Sequence, residues 1–238
     1  MFDVIIMAGG LGKRMNSDIP KVLHKIKGIP MLVKIINEVK KLKQCNKIMI
    51  IVGIYKEMIK NTLEEYNLFE NKDIIFVLQE QPLGTGHAIM CAKEMIGNNP
   101  ILILSGDIPL ITVDTINDMI NHYNGVGTIM TTMLDNPYGY GRIYRHYNNF
   151  KIIEEKDASE FEKKICEVNC GIYVFNPRLL QENICKITNN NAQYEYYLTD
   201  ITKFILCNIY ILPKEKQIEL TNVNTKKTLD ELNNLQTK

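Results

Sequence analysis

Hydrophobic and polar positions alternate along this chain in blocks that switch between the period of a buried strand and that of an amphipathic helix. Residues 4–7, 47–52, 74–78 and 101–104 are short, nearly unbroken apolar runs, the pattern of strands covered on both faces. Between the first two, Leu32, Ile35, Ile36, Val39 and Leu42 recur at helical spacing, with Lys34, Glu38, Lys40 and Lys41 on the other face. Residues 55–65 predict a second helix, Leu83 to Ala88 open a third that runs through Cys91 and Met95, and a fourth starts near Val113. Strands alternating with helices predict an α/β fold with parallel strands and helical crossovers.

The rhythm changes after a strand at 127–134. Pro137-Tyr138-Gly139-Tyr140-Gly141-Arg142 is turn chemistry, and 143–146 with 151–154 read as short antiparallel pieces around Asn148-Asn149, so a small β insertion is expected over roughly residues 135–165. A strand at 168–175, a helix at 177–186 with proline in its first turn, a polar loop at 188–193 and a strand at 209–212 follow. The end, 225–238, reads as a helix with Leu229, Leu232 and Leu235 on one face. One domain spanning 1–238 is expected.

A formal net charge of +1, from 28 basic and 27 acidic residues, removes the electrostatic argument for binding nucleic acid or an anionic membrane. No apolar run approaches the length of a membrane span, and Asp3 precedes the first apolar stretch where a signal peptide would be basic. A soluble, cytoplasmic protein is expected. The six cysteines are scattered without a Cys-x-x-Cys pair, which predicts reduced, mostly buried thiols.

Candidate chemistry begins where the first strand ends. Ala8-Gly9-Gly10-Leu11-Gly12-Lys13-Arg14 is a glycine loop that lets backbone amides approach a ligand, and Arg14 and Lys21 add positive charge, a combination suited to polyphosphate. Two familiar phosphate loops fail: the dinucleotide pattern needs glycine where Met15 stands, and the P-loop pattern needs glycine at Met7 and Ser or Thr at Arg14. A solvated strand-to-helix turn stays an equal alternative for this stretch alone. Asp107 falls at the end of the 101–104 strand, where it could hold magnesium through one carboxylate or serve its own turn or a helix cap. Asn224 reads first as an N-cap. No Ser/His/Asp or Cys/His arrangement is convincing, and His24, His87, His122 and His146 read as structural or exposed.

Together, several segments resemble the uridylyltransferase half of the bacterial N-acetylglucosamine-1-phosphate uridylyltransferases. They are Ala8 to Met15, Pro20 to His24, Gln79 with Leu83 to Ala88, Gly106-Asp107-Ile108-Pro109-Leu110 and Gly139 to Ile143. Glu154 to Ala158, Asn169 to Ile172, Asn189 to Gln193 with Glu195 to Asp200, and Val223-Asn224 follow in the same order. The resemblance covers nearly all of residues 2–224. It implies the nucleotide-diphosphosugar transferase fold, a Rossmann-like doubly wound mixed sheet, and formation of UDP-N-acetylglucosamine and pyrophosphate from UTP and N-acetylglucosamine 1-phosphate.

Residue by residue, it implies that Ala8, Gly9, Gly10, Gln79, Gly84 and Thr85 hold the nucleotide. Arg14, Lys21 and Asp107 are implied to be catalytic, with Mg2+ on Asp107 and Asn224, and Gly141, Glu154, Asn169, Tyr197 and Thr199 on the sugar. The departures are Gly9 and Leu11-Gly12-Lys13 in the loop, Pro82 for a glutamine and Tyr194 for a glycine. The bacterial family continues into a β-helix that performs acetyl transfer and forms trimers. None is expected here, leaving a monomer or weak homo-oligomer. Competing readings are a same-fold transferase with another sugar or base, a catalytically silent regulatory homologue, and a Rossmann oxidoreductase, the last disfavoured by the failed glycine pattern.

Overall fold

A computed structural model describes the chain except residues 11, 13, 14, 16, 70–72, 148 and 236–238. Among the described residues a nine-stranded mixed sheet forms the centre. Its main path runs β11 (Asn208–Ile211), β7 (Gly127–Met133), β10 (Glu167–Phe175), β6 (Ile101–Ser105), β1 (Phe2–Met7), β4 (Cys45–Val52), β5 (Asp73–Leu78). β6, β1, β4 and β5 are parallel, as the alternating pattern predicts. β10 lies antiparallel between β6 and β7, which makes the sheet mixed. A short ribbon of β2 (Lys25–Ile26) and β3 (Ile29–Pro30) stands apart.

The apolar runs form strands because both sheet faces are covered. Val4, Ile6, Ile48, Ile50, Leu102 and Leu104 pack on one side against α1 (Met31–Lys40), α2 (Lys56–Glu65) and α4 (Val113–Asn121). Ile5, Met49, Ile51, Ile101 and Ile103 alternate to the other side, against α3 (Thr85–Ala92) and α5 (Pro177–Asn183). Each such side chain, fully buried, is worth roughly 1.5–3 kcal/mol relative to leaving it in water. The third and fifth helices end earlier than the sequence suggests, each passing into a 3-10 turn, at Lys93–Met95 and Ile184–Lys186.

The expected antiparallel pieces form the hairpin β8 (Arg142–His146) and β9 (Asn149–Ile153), which joins the sheet through Arg142 opposite Val168 of β10. The register of β10 breaks between Asn169 and Tyr173, at Gly171 with φ +71°. Such a bulge bends a strand and re-aims its side chains, here beside the hairpin. Helix α6 (Lys226–Asn234) buries Leu229 and Leu232 in a small cluster with Met15, Ile26, Met31 and Val223. Its cap is Thr225, whose hydroxyl accepts from the Thr228 amide, so Asn224 is released from the capping role.

Cys45, Cys170 and Cys207 are buried, Cys91 is half-buried, and Cys166 and Cys185 are exposed, fewer buried than the expectation of mostly buried thiols. Burial pushes the Cys207 thiol up to about 12. No helix among the described residues is long and apolar enough to cross a membrane.

Candidate active site

The parallel register sets Met7 opposite Ser105, so the chain leaving β1 and the chain leaving β6 emerge side by side at the carboxyl edge of the sheet. Ligands in doubly wound sheets bind at such an edge. Gly106 makes the approach possible: its amide donates to the Met7 carbonyl at 3.0 Å, and a Cβ there would lie 2.6 Å from that oxygen. Asp107 follows, only 8% exposed, with Oδ1 accepting from the Ser105 hydroxyl at 2.6 Å. The Asp107 carbonyl accepts from the Val223 amide at 2.9 Å, which brings Asn224 alongside.

Lys21 closes this group. It stands at the start of a 3-10 turn after Pro20, and Gly12, at φ +60°, leaves it room, since a Cβ on Gly12 would sit 2.8 Å from the Lys21 Cβ. The Lys21 ammonium donates to Asp107 Oδ2 at 2.5 Å and to Asn224 Oδ1 at 2.9 Å. Two oxygens from distant parts of the chain thus converge on one cation. A carboxylate and a carboxamide oxygen are hard donors of the kind magnesium takes when phosphate and water complete its shell, so the residues fit the metal the resemblance implies. Among the described residues no cluster of three or more His, Cys, Asp or Glu offers a metal cage.

Two adjoining hollows flank Asp107. The larger, about 520 Å³, is lined by Gly9, Gly10, Lys21, Gln79, Pro82, Gly84, Thr85 and Asn224 among others. The smaller, about 180 Å³, is lined by Gly141, Glu154, Asn169, Tyr173 and Thr199 among others. Met7, Thr85, Ser105 and Asp107 line both. The sequence-derived nucleotide and sugar sets therefore separate into two compartments that meet at Asp107. Ala8 and Tyr197 line neither: the Ala8 amide donates to Ile51 in the sheet, and Tyr197 is buried. The Tyr197 hydroxyl makes no hydrogen bond within ordinary geometric limits among the described residues, although Asp157 lies close to it; burial first, then Asp157, Glu154 and Glu195, drive its ionisation far up. Arg14 lies outside the described residues.

Local structure fixes each wall. Gly84 adopts φ +113° and ψ 173°, and a Cβ there would meet the Tyr196 carbonyl at 2.5 Å, so the turn before α3 requires glycine. The Thr85 hydroxyl accepts from the Leu198 amide at 3.0 Å, tying the two hollows together. In the smaller hollow the Thr199 hydroxyl donates to Glu154 at 2.7 Å. Burial pushes the Glu154 carboxyl up, a shift that this hydrogen bond opposes and nearby Asp157, Asp200 and Glu195 reinforce. Asn169 donates to the Tyr173 hydroxyl at 2.7 Å and accepts from the Gly171 amide, which locks its amide across the bulge.

Sequence reasoning missed the supports. Arg142, 1% exposed, pairs with Glu155 at 2.7 Å and donates to the Tyr140 and Lys163 carbonyls, and Glu155 also accepts from the Gly139 amide. These bonds hold the 139–141 turn over the smaller hollow. Turn residues were visible in the sequence, but nothing marked Arg142 and Glu155 as a buried pair. Ser105 and His87 were likewise unassigned or read as structural, although both touch residues that line the hollows.

Residues 4–160 match the family model described as MobA-like NTP transferase domain. Over 240 residues the chain is 41% identical to a protein of Acanthamoeba polyphaga mimivirus named "Probable UDP-N-acetylglucosamine pyrophosphorylase", covering 95% of this chain and 93% of that one. It is 42% identical to the "Bifunctional protein GlmU" of Fervidobacterium nodosum, over 96% of this chain and 49% of the relative, so it spans about half the length of such bifunctional proteins. Among solved structures, a UDP-glucose pyrophosphorylase complexed with UDP-glucose superposes with a TM-score of 0.72 at 17% identity, covering 98% of this chain and 97% of that one. HddC from Yersinia pseudotuberculosis, complexed with GMP-PN, gives 0.71 at 19% identity over 98% of each chain. At those identities the structures establish the nucleotidyltransferase fold. The chain therefore belongs to the MobA-like NTP transferase family and, within it, to the N-acetylglucosamine-1-phosphate uridylyltransferases.

Proposed function

We propose that this enzyme transfers the uridylyl group of UTP to N-acetylglucosamine 1-phosphate, giving UDP-N-acetylglucosamine and pyrophosphate. The observation that carries the reading is the pair of hollows meeting at Asp107, with the Lys21 ammonium and Asn224 at the junction. A nucleoside triphosphate in the larger and a sugar phosphate in the smaller would bring their phosphates together there.

The sugar 1-phosphate needs no general base, because a phosphate monoester with a second pKa near ~6 is mostly dianionic at neutral pH. One of its oxygens attacks the α-phosphorus in line with departing pyrophosphate, so catalysis reduces to positioning and to neutralising charge. Mg2+ on Asp107 and Asn224 supplies charge neutralisation on the phosphate oxygens when bound. Lys21 turns its ammonium to the phosphates once its two oxygens are otherwise engaged, and Arg14 adds a second cation from the loop. Gly9, Gly10, Gln79, Gly84 and Thr85 seat the nucleotide. Gly141, Glu154, Asn169 and Thr199 take the sugar.

Pyrophosphate release measured with Mg2+, each NTP and each of N-acetylglucosamine, glucose and glucosamine 1-phosphates tests the reading. The largest kcat/KM is expected for UTP with the acetamido sugar. A higher value for glucose 1-phosphate would overturn the acceptor, and one for another NTP would overturn the base.

A further inference from the structure

We propose that His87 fixes the Gln79 side-chain amide with its oxygen toward the nucleotide hollow, and thereby makes the site select uracil over cytosine. The base identity rests on the uridylyl-transfer reading above.

Gln79 follows β5 directly, its own amide N–H held by the Val52 carbonyl at 2.8 Å, and it is 6% exposed. Its Nε2 lies 3.1 Å from the Gly84 carbonyl oxygen and 3.1 Å from His87 Nδ1. A carbonyl oxygen only accepts, so the end of the amide beside Gly84 must be the NH2 group. Its two hydrogens then serve two acceptors. His87 Nδ1 must present its lone pair, which puts the ring proton on Nε2. Both acceptors are anchored: Gly84 by a backbone conformation closed to other residues, His87 by its place in the first turn of α3.

With Nε2 committed, Oε1 takes the opposite side. It faces Gly9, where a Cβ would lie 3.0 Å from it, and Gly9 lines the same hollow. Among the described residues none is seen to donate to Oε1. A base entering the hollow thus meets a hydrogen-bond acceptor. Uracil offers an N–H at N3 and is rewarded; cytosine offers a lone pair at N3 and is repelled. A glutamine by itself is ambiguous, because turning its amide exchanges donor for acceptor. Turning forfeits the Gly84 hydrogen bond and sets two lone pairs against each other there; with His87 in place it also forces the imidazole proton from Nε2 to Nδ1, a cost that disappears without His87.

The test is calorimetric binding of UMP and CMP to the full chain, to His87→Leu and to His87→Asn, beside kcat/KM with UTP and CTP. The wild type should favour the uridine compounds. His87→Leu should narrow the ratio by up to about threefold, the low end of one hydrogen bond because the imidazole can shift its proton, with UMP weakened and CMP strengthened. His87→Asn, whose Oδ1 can stand where Nδ1 stood, should keep the ratio. An unchanged ratio in His87→Leu, or equal weakening of both nucleotides, overturns the proposal, as does a wild type without preference. Imidazole 15N shifts in the wild type give a readout independent of any variant: a proton on Nδ1 also overturns it. If the ratio behaves as expected but no sugar phosphate yields pyrophosphate, the transfer reading fails while the amide clamp stands. If turnover is intact and the ratio is unmoved, the reverse holds.

Discussion

Gly10→Ala separates ligand contact from folding more sharply than any other substitution in the site. A Cβ built on Gly10 meets nothing within 4 Å among the described residues, and its φ lies outside the left-handed region. Alanine is therefore accommodated without strain in the free protein, and the narrower unfolded ensemble should stabilise it by roughly 0.4–1 kcal/mol. The open space belongs to the larger hollow, so the methyl group would occupy volume that the nucleotide needs. Forcing one extra methyl into a filled contact costs about 1–3 kcal/mol, which is roughly a 5- to 150-fold loss of UTP affinity.

Gly84→Ala supplies the contrast. There the Cβ would lie 2.5 Å from the Tyr196 carbonyl and φ is +113°, so melting temperature should fall even without ligand. The assay is pyrophosphate release against UTP concentration at saturating acceptor, with thermal melts of the free proteins. A Gly10→Ala enzyme with unchanged KM for UTP, or one whose melting temperature drops, would refute the placement of the nucleotide over this loop.

Asp107→Ala should cost orders of magnitude in turnover while shifting the melting temperature by little; near wild-type turnover would remove Asp107 from the chemistry. Lys21→Ala should lower kcat more than it raises KM for UTP. It should also increase the stabilisation given by added Mg2+ in thermal melts, because the ammonium no longer holds Asp107 and Asn224; an unchanged Mg2+ response counts against the shared site. For Glu154→Gln the sign follows from burial, which raises the folded carboxyl above its ordinary value of 4.5. The wild-type contribution is intact below that value and is lost as pH rises through the raised one. The variant should therefore gain melting temperature over the wild type progressively from about pH 4.5 toward neutrality while its acceptor KM rises, and a pH-independent difference would refute the assignment.

Much of this was legible in the sequence by itself. Buried strands announce themselves as short apolar runs, because a strand covered on both faces needs apolar side chains at every position, and α1 announces itself by the spacing of Leu32, Ile35, Ile36 and Val39. The nucleotide and sugar sets came from motif strings, and the structure gathers most of them around two neighbouring hollows.

Only the tertiary structure decided which pieces meet. Strand order and the antiparallel placement of β10 depend on crossovers that no local pattern encodes. Asn224 looked like a helix cap because Asn is a good one; the neighbouring Thr225 takes that role, and the Val223 bond to Asp107 turns Asn224 toward Lys21, 203 residues away in sequence. The Arg142–Glu155 pair and the His87–Gln79 contact were equally silent, since a polar side chain reveals its partner only when burial removes water as the alternative.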